Sequence, residues 1–304
     1  MVSLLEADLK GFFGGGGERD RFCRALEEGR ILFFPETPFP LPQETIDFLL
    51  RQKQTDAKYH KNIAYRPKEG RITGAAGSGP EDRKRLLEAM GDFSKQVTGF
   101  LRRLLAPYAD RWRLDYASFR PRQEQGRKIK LTARNDLLHV DAFPTRPTHG
   151  DRILRFFTNI NPDEPRHWIT GERFEKVLAK EMAAGLSLPK PSESVLTRAG
   201  RGLAAAASSI GLPVANRSRY DEFMLGFHDY LKESGRFQRD CVKFEWKFPP
   251  GSSWAVFTDS VPHAALSGQF ALEQTFIISR HSMVLPDLAP VNVLERLCGF
   301  ELVR

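Results

Sequence analysis

Seven histidines occur in the chain, and two of them stand two residues before an aspartate, as His139-Val140-Asp141 and His149-Gly150-Asp151. On an extended backbone, side chains two apart share a face, so each pair offers an imidazole and a carboxylate as adjacent ligands for a metal ion. Their surroundings separate them. The first pair lies in Leu137-Leu138-His139-Val140-Asp141-Ala142-Phe143, whose apolar neighbours imply a buried strand. Burying an imidazole beside a carboxylate without a partner is costly, and a metal would relieve that cost. The second pair lies in Pro147-Thr148-His149-Gly150-Asp151, a turn composition in which both groups can be solvated or cap the next strand. His139 and Asp141 are therefore the favoured ligands.

A third ligand should be a distant histidine beside a strand, and His263 fits, after the apolar run Trp254 to Phe257 and the polar turn Thr258 to Ser260. Two histidines and one carboxylate form the facial triad that suits non-haem Fe(II) and leaves positions open for a cosubstrate and dioxygen. Zinc with a water is the competing occupant, and a core His263 bonded to backbone is the plain alternative. The following strand ends in Arg280-His281-Ser282. An arginine and a hydroxyl two apart on a strand point the same way and together grip a carboxylate. A surface salt bridge is the ordinary fate of any one arginine. Arg134 and Arg155, on neighbouring expected strands, are the fallback carboxylate partners.

The elements that must position these groups divide the chain in three. Residues 1–120 read as mostly helical, with helices over 19–28, 42–52 and 80–105 and a Gly- and Lys/Arg-rich loop from Tyr65 to Gly79. Residues 121–162 and 241–304 read as an antiparallel β core. Its strands are expected at 128–134, 136–143, 152–159, 241–248, 253–258 and 270–279. Between them, residues 163–240 form a helical insertion with helices at 171–184 and 218–233. Each strand block looks too small to fold alone, so one α+β domain spanning 1–304 is the economical reading.

Composition narrows the partners. The chain has 304 residues, a net charge of +8 and 41% hydrophobic residues, which argues against disorder, collagen or a coiled coil. Three cysteines, with no CxxC spacing, point to a reducing compartment rather than a disulfide framework. No secretory signal is visible at the N-terminus, and 202–216, the longest charge-free stretch weighed, is too short for a span. That stretch is expected as a packed Ala-rich helix; the alternative is a contact with an anionic bilayer, flanked by Arg198, Arg201, Arg217 and Arg219. The positive charge also fits nucleic acid, but no nucleic-acid motif accompanies it.

The order His-x-Asp, a far His and a late Arg-x-Ser resembles the iron(II)/2-oxoglutarate dioxygenases of the double-stranded β-helix fold, a jelly-roll, cupin-like core. The interval from His139 to His263 is 263 − 139 = 124 residues, a length the helical insertion explains. The 17 residues from His263 to Arg280 exceed the usual interval of those enzymes. A closer resemblance rests on His139 to Pro147, Arg152 to Pro162, Trp168 and Gly171-Glu172-Arg173-Phe174. These segments are similar to the Kdo 3-hydroxylases, which act on 3-deoxy-D-manno-oct-2-ulosonic acid (Kdo).

The resemblance implies hydroxylation at C3 of a lipid A-linked Kdo in lipopolysaccharide, giving Ko, coupled to decarboxylation of 2-oxoglutarate to succinate. Fe(II), 2-oxoglutarate and dioxygen are the implied cofactors. His139, Asp141 and His263 would hold iron, with Arg280 and Ser282 on the keto acid's far carboxylate and Arg146 and Trp168 on the substrate. The enzyme would sit at the cytoplasmic membrane's inner face as a peripheral protein, with the 163–240 insertion either a lid or a membrane contact. Another 2-oxoglutarate-dependent substrate, or a non-catalytic basic lipid- or nucleic-acid-binding β module, are the alternatives.

Overall fold

The computed structural model describes residues 2–9, 20–55, 62–77, 79–126, 130–191 and 215–303. Two sheets form the framework. The larger contains eight strands in the order β1 (Leu4–Glu6), β2 (Ile31–Phe34), β9 (Ser253–Phe257), β6 (Arg152–Asn159), β11 (Ala271–Ile278), β5 (Trp112–Arg120), β3 (Ile63–Arg66) and β4 (Arg71–Thr73). The smaller has three, β10 (His263–Ser267), β7 (Arg166–Thr170) and β8 (Phe244–Phe248). All pairings but β1 with β2 are antiparallel. Together they make the double-stranded β-helix core of a mixed α+β protein.

Seven α-helices accompany the sheets among the described residues: α1 (Arg21–Glu27), α2 (Gln43–Leu50), α3 (Pro80–Leu104), α4 (Phe174–Ala183), α5 (Arg219–Glu233), α6 (Gly235–Asp240) and α7 (Pro290–Cys298). Helix α3 starts on a proline followed by Glu81 and Asp82 and ends with Arg102 and Arg103, charges that suit its dipole. Leu86, Met90, Phe93, Val97, Phe100, Leu101 and Leu104 form its buried stripe, which joins Phe34, Phe119, Phe156 and Phe276 of the large sheet in one core. A second cluster lies between the sheets around Phe157, Trp168, Phe248 and Trp254, where Phe248 and Trp254 stack with centroids 3.9 Å apart. A third joins α4 and α5 to Leu138, Val140 and α7.

Several expectations need correction. Residues 1–120 are not mainly helical: β1 to β5 all come from them, and the expected loop from Tyr65 contains most of the β3–β4 hairpin. Four of these strands have only three or four residues, too short for alternation to show, whereas the nine-residue β5 was missed although its polar side chains alternate. Strand β7 lies inside the stretch assigned to the helical insertion, so the excursion from the β core begins only after Thr170. The expected strand at 128–134 is, over its described part, a 3₁₀ turn at Leu131–Ala133. The expected strand at 136–143 shows a single bridge, His139 to His263. Most of the 202–216 segment lies outside the described residues.

Candidate active site

His139 and Asp141 project from an irregular extended segment laid along the start of β10. His139 N–H donates to His263 O at 3.2 Å, His263 N–H donates back at 2.9 Å, and Asp141 N–H donates to Thr258 O at 2.8 Å. The turn carrying Thr258 is fixed from within: the enclosed Arg152 guanidinium donates to both Asp259 oxygens, at 2.7 and 3.1 Å, and to Ser260 Oγ at 2.7 Å. One buried ion pair thus sets the turn between β9 and β10, and through it Asp141 and His263.

The ligand atoms of His139, Asp141 and His263 lie within 4.8 Å of one another, and all three residues are buried. Nδ1 of His139 faces Leu137 O at 2.7 Å and Nδ1 of His263 faces Val261 O at 3.0 Å. A carbonyl only accepts, so both Nδ1 atoms carry the proton and both Nε2 atoms keep a free lone pair. Those atoms stand 3.8 Å from Asp141 Oδ1 and 3.9 Å from Oδ2. Burial holds both imidazoles below the usual histidine range, His139 most strongly. Burial alone would raise the Asp141 carboxyl, but Arg155, with smaller contributions from the two histidines, holds it well below the ordinary carboxylate range. Among the described residues Oδ2 is buried with no hydrogen-bond partner, although Arg155 Nε lies 3.1 Å away. Two neutral imidazoles and an ionised, incompletely satisfied carboxylate on one face fit a divalent metal.

The triad opens into a cavity of about 650 Å³. Arg155, Arg146 and Trp168, all named from the sequence, line it. Trp168 lies against His263, centroids 5.3 Å apart at 21°, and its buried indole N–H has no acceptor among the described residues. Arg280 and Ser282 do not line it. They sit in a 3₁₀ turn beyond β11, where Arg280 N–H binds Asp151 and its guanidinium lies 4.0 Å from Glu295. The cavity-facing residues of β11 are Glu273 and Thr275. Arg134 is also outside, paired with Asp136. The other His-x-Asp motif is structural: His149 N–H and Thr148 N–H donate to Asp221, which belongs to the capping box of α5.

Beside Arg155, the deep wall carries residues not assigned to the site from sequence: Arg120, Arg166, Glu124 and Glu273. Arg120 donates twice to Glu273, Arg155 Nε lies 3.2 Å from Glu273, and Arg166 donates to Glu124 at 3.2 Å and to Gly268 O at 3.0 Å. Arg155 and Arg120 outweigh burial and hold the Glu273 carboxyl low, whereas burial brings Arg166 down to about 10. Gly268 adopts φ +108°, and a Cβ there would meet Arg166 Cα at 3.0 Å, so the close approach needs glycine. The available sequence signal was period two: Tyr116, Ser118 and Arg120 form one polar face of β5, and Arg166 precedes Trp168 on one face of β7.

A buried two-histidine, one-carboxylate face within a jelly roll defines a mononuclear non-haem metal enzyme of the dioxygenase kind. Residues 16–301 match the family described as 3-deoxy-D-manno-oct-2-ulosonic acid (Kdo) hydroxylase, and the chain belongs to that family. It is similar to the crystal structure of the Kdo hydroxylase KdoO, a non-haem Fe(II) 2-oxoglutarate-dependent dioxygenase, in complex with 2-oxoglutarate and Fe(III). The identity is 34%, the TM-score 0.81, and the match covers 99% of this chain and 97% of that one. The cobalt(II) complex of KdoO matches with TM-score 0.82 and its complex with succinate and Fe(III) with 0.80, both at 34% identity and the same coverage. No curated protein matches.

Proposed function

We propose that the protein hydroxylates Kdo at C3 in the Kdo–lipid A region of lipopolysaccharide, giving Ko, with Fe(II) held by His139, Asp141 and His263. The observation that carries this is the preformed triad opening into a cationic cavity, in a member of the Kdo hydroxylase family. Iron with 2-oxoglutarate bound supplies the chemistry, coupling decarboxylation to succinate with transfer of one atom of dioxygen into a C–H bond.

The protein's part is charge and placement. On the deep wall three guanidiniums, Arg120, Arg155 and Arg166, face two carboxylates, Glu124 and Glu273, which leaves one positive charge. A divalent ion against Asp141, beside neutral histidines, leaves another. The sum matches a dicarboxylate dianion, so this arginine group, rather than Arg280, is the reading for the far carboxylate of 2-oxoglutarate. Trp168 closes the wall beside His263 and keeps water from that side of the triad.

No helix among the described residues is long and apolar enough to cross a membrane. A peripheral position on the inner face of the cytoplasmic membrane is supported by the +8 charge, since each basic residue near an anionic surface contributes about 1 kcal/mol. Purified protein with Fe(II), 2-oxoglutarate and Kdo–lipid A should form succinate and a product heavier by one oxygen, read by mass spectrometry. Succinate formed only with some other acceptor would move the substrate, and no iron-dependent turnover would remove the enzyme reading. Membrane-fraction protein should wash off in high salt without detergent.

A further inference from the structure

Arg146 is held differently from the other arginines of the cavity. Its guanidinium carbon lies 4.1 Å from the centroid of the Tyr116 ring and 4.4 Å from that of Phe143, so two aromatic rings clamp it. The nearest carboxylate, Asp115, has Oδ2 at 3.2 Å from Arg146 Nε, yet both atoms are buried without a hydrogen bond. Burial raises the Asp115 carboxyl and Arg146 opposes that rise. Of the other cavity arginines, Arg66, Arg120 and Arg166 donate to carboxylates and Arg155 lies within 3.2 Å of two, whereas the guanidinium of Arg146 makes no hydrogen bond within the described residues and has one carboxylate beside it. Its side chain is 30% exposed and lines the cavity. Ring packing fixes a guanidinium's plane while leaving its N–H edge free, the arrangement that receives a planar carboxylate through two parallel hydrogen bonds.

Placement agrees with that role. The Phe143 ring that packs against Arg146 also meets Arg155, 5.6 Å away, and Arg155 in turn lies 3.1 Å from Asp141. Arg146 is thus one ring removed from the arginine that touches a metal-binding carboxylate. In a 3-deoxy-2-ulosonic acid the carboxylate carbon is two bonds from the C3 methylene, so a substrate presenting C3 to the triad must bring its carboxylate into this same cavity. The arginines of the deep wall, which carry one net positive charge beside Glu124 and Glu273, are assigned above to the far carboxylate of 2-oxoglutarate and are not available to the sugar. We propose that Arg146, clamped between Tyr116 and Phe143, receives the carboxylate of the sugar acid and selects acidic over neutral sugars. The inference rests on the Kdo hydroxylase reading above.

The test pairs a protein change with a substrate change. Wild type, Arg146→Gln and Arg146→Lys are assayed on Kdo–lipid A, on its Kdo methyl ester and on the dephosphorylated lipid. Binding of Kdo and its methyl ester to the Co(II)- and 2-oxoglutarate-loaded protein is followed by calorimetry. Arg146→Gln should raise KM for the acid by tenfold to a hundredfold, the range of a charge-assisted bidentate contact, and leave the Co(II) spectrum and the KM for 2-oxoglutarate unchanged. On the methyl ester wild type should fall to the level of the variant, and the variant should lose less than a further twofold. Arg146→Lys should recover little, because a point charge does not reproduce the stacked fork. Equal losses on acid and ester would overturn the proposal, as would a loss that disappears with the dephosphorylated lipid, which would make Arg146 a phosphate contact. A wild type that turns over no Kdo substrate would remove the functional reading itself. The calorimetric arm then still decides whether Arg146 distinguishes the acid from its ester, and equal binding would overturn the proposal.

Discussion

His228, on helix α5, donates from Nδ1 to the carbonyl oxygen of Val140 at 2.7 Å, so a helix outside the β core holds the residue between His139 and Asp141. Its ring stands nearly perpendicular to that of His139, with centroids 5.0 Å apart. Asparagine reproduces a donor at the position of Nδ1, and leucine does not. His228→Leu should weaken Co(II) binding by about threefold to tenfold, the worth of one hydrogen bond, while His228→Asn should keep most of the affinity. Equal loss in both variants would mean that ring packing, not the hydrogen bond, is what matters.

Replacing His139, Asp141 or His263 by alanine should abolish stoichiometric iron, measured by elemental analysis of purified protein. His149→Ala and Asp151→Ala should retain it, because those residues serve the α5 cap and the Arg280 turn.

Arg280→Ala should leave the KM for 2-oxoglutarate unchanged, whereas Arg166→Gln or Arg120→Gln should raise it by tenfold or more, as expected for loss of a charge-assisted contact. The reverse pattern would return the far carboxylate to the end of β11.

Stability of the metal-free protein should fall on acidification. His139, His228 and His263 are all held below the usual histidine range by burial, so the unfolded chain binds more protons than the folded one. Their contribution is complete above the ordinary histidine value of about 6.5 and is lost as pH falls through it toward the depressed folded values. Urea midpoints at pH 7.5 and pH 5.5 should show this, the lower pH being the less stable, and the difference should shrink in His228→Asn.

Asp259→Ala leaves the fully enclosed Arg152 without its carboxylate. Removal of one partner of a buried pair costs about 3–5 kcal/mol. Urea denaturation should show a loss of that size, with Co(II) affinity falling as well because the turn that binds Asp141 N–H is released.

The metal face was legible because its chemistry is local. His139 and Asp141 sit two apart among apolar neighbours, and His263 opens a strand after a polar turn. The arginine-rich wall was not, because it is assembled across the sheet: Arg120, Arg155 and Glu273 come from three adjacent strands whose register no stretch of sequence displays. Arg280 misled because Arg-x-Ser on a strand shares a face, but β11 ends at Ile278 and the motif turns away from the cavity. Long elements such as α3, α5 and β6 followed their patterns closely. The short strands β1, β3 and β4 did not, since three or four residues that gain their pairing from distant partners carry no periodicity of their own.

The first two ligands and the third are separated by more than a hundred residues, and Glu273 follows later still. During synthesis, a chain halted anywhere between residues 141 and 262 holds the first two donors but lacks His263 and the β11 part of the wall, Glu273 and Thr275. Two donors bind a divalent ion weakly, and no complete cavity yet shields what it would activate. The order of the residues therefore makes acquisition of the metal a late event, and an interrupted product of translation carries no competent centre with which to damage itself.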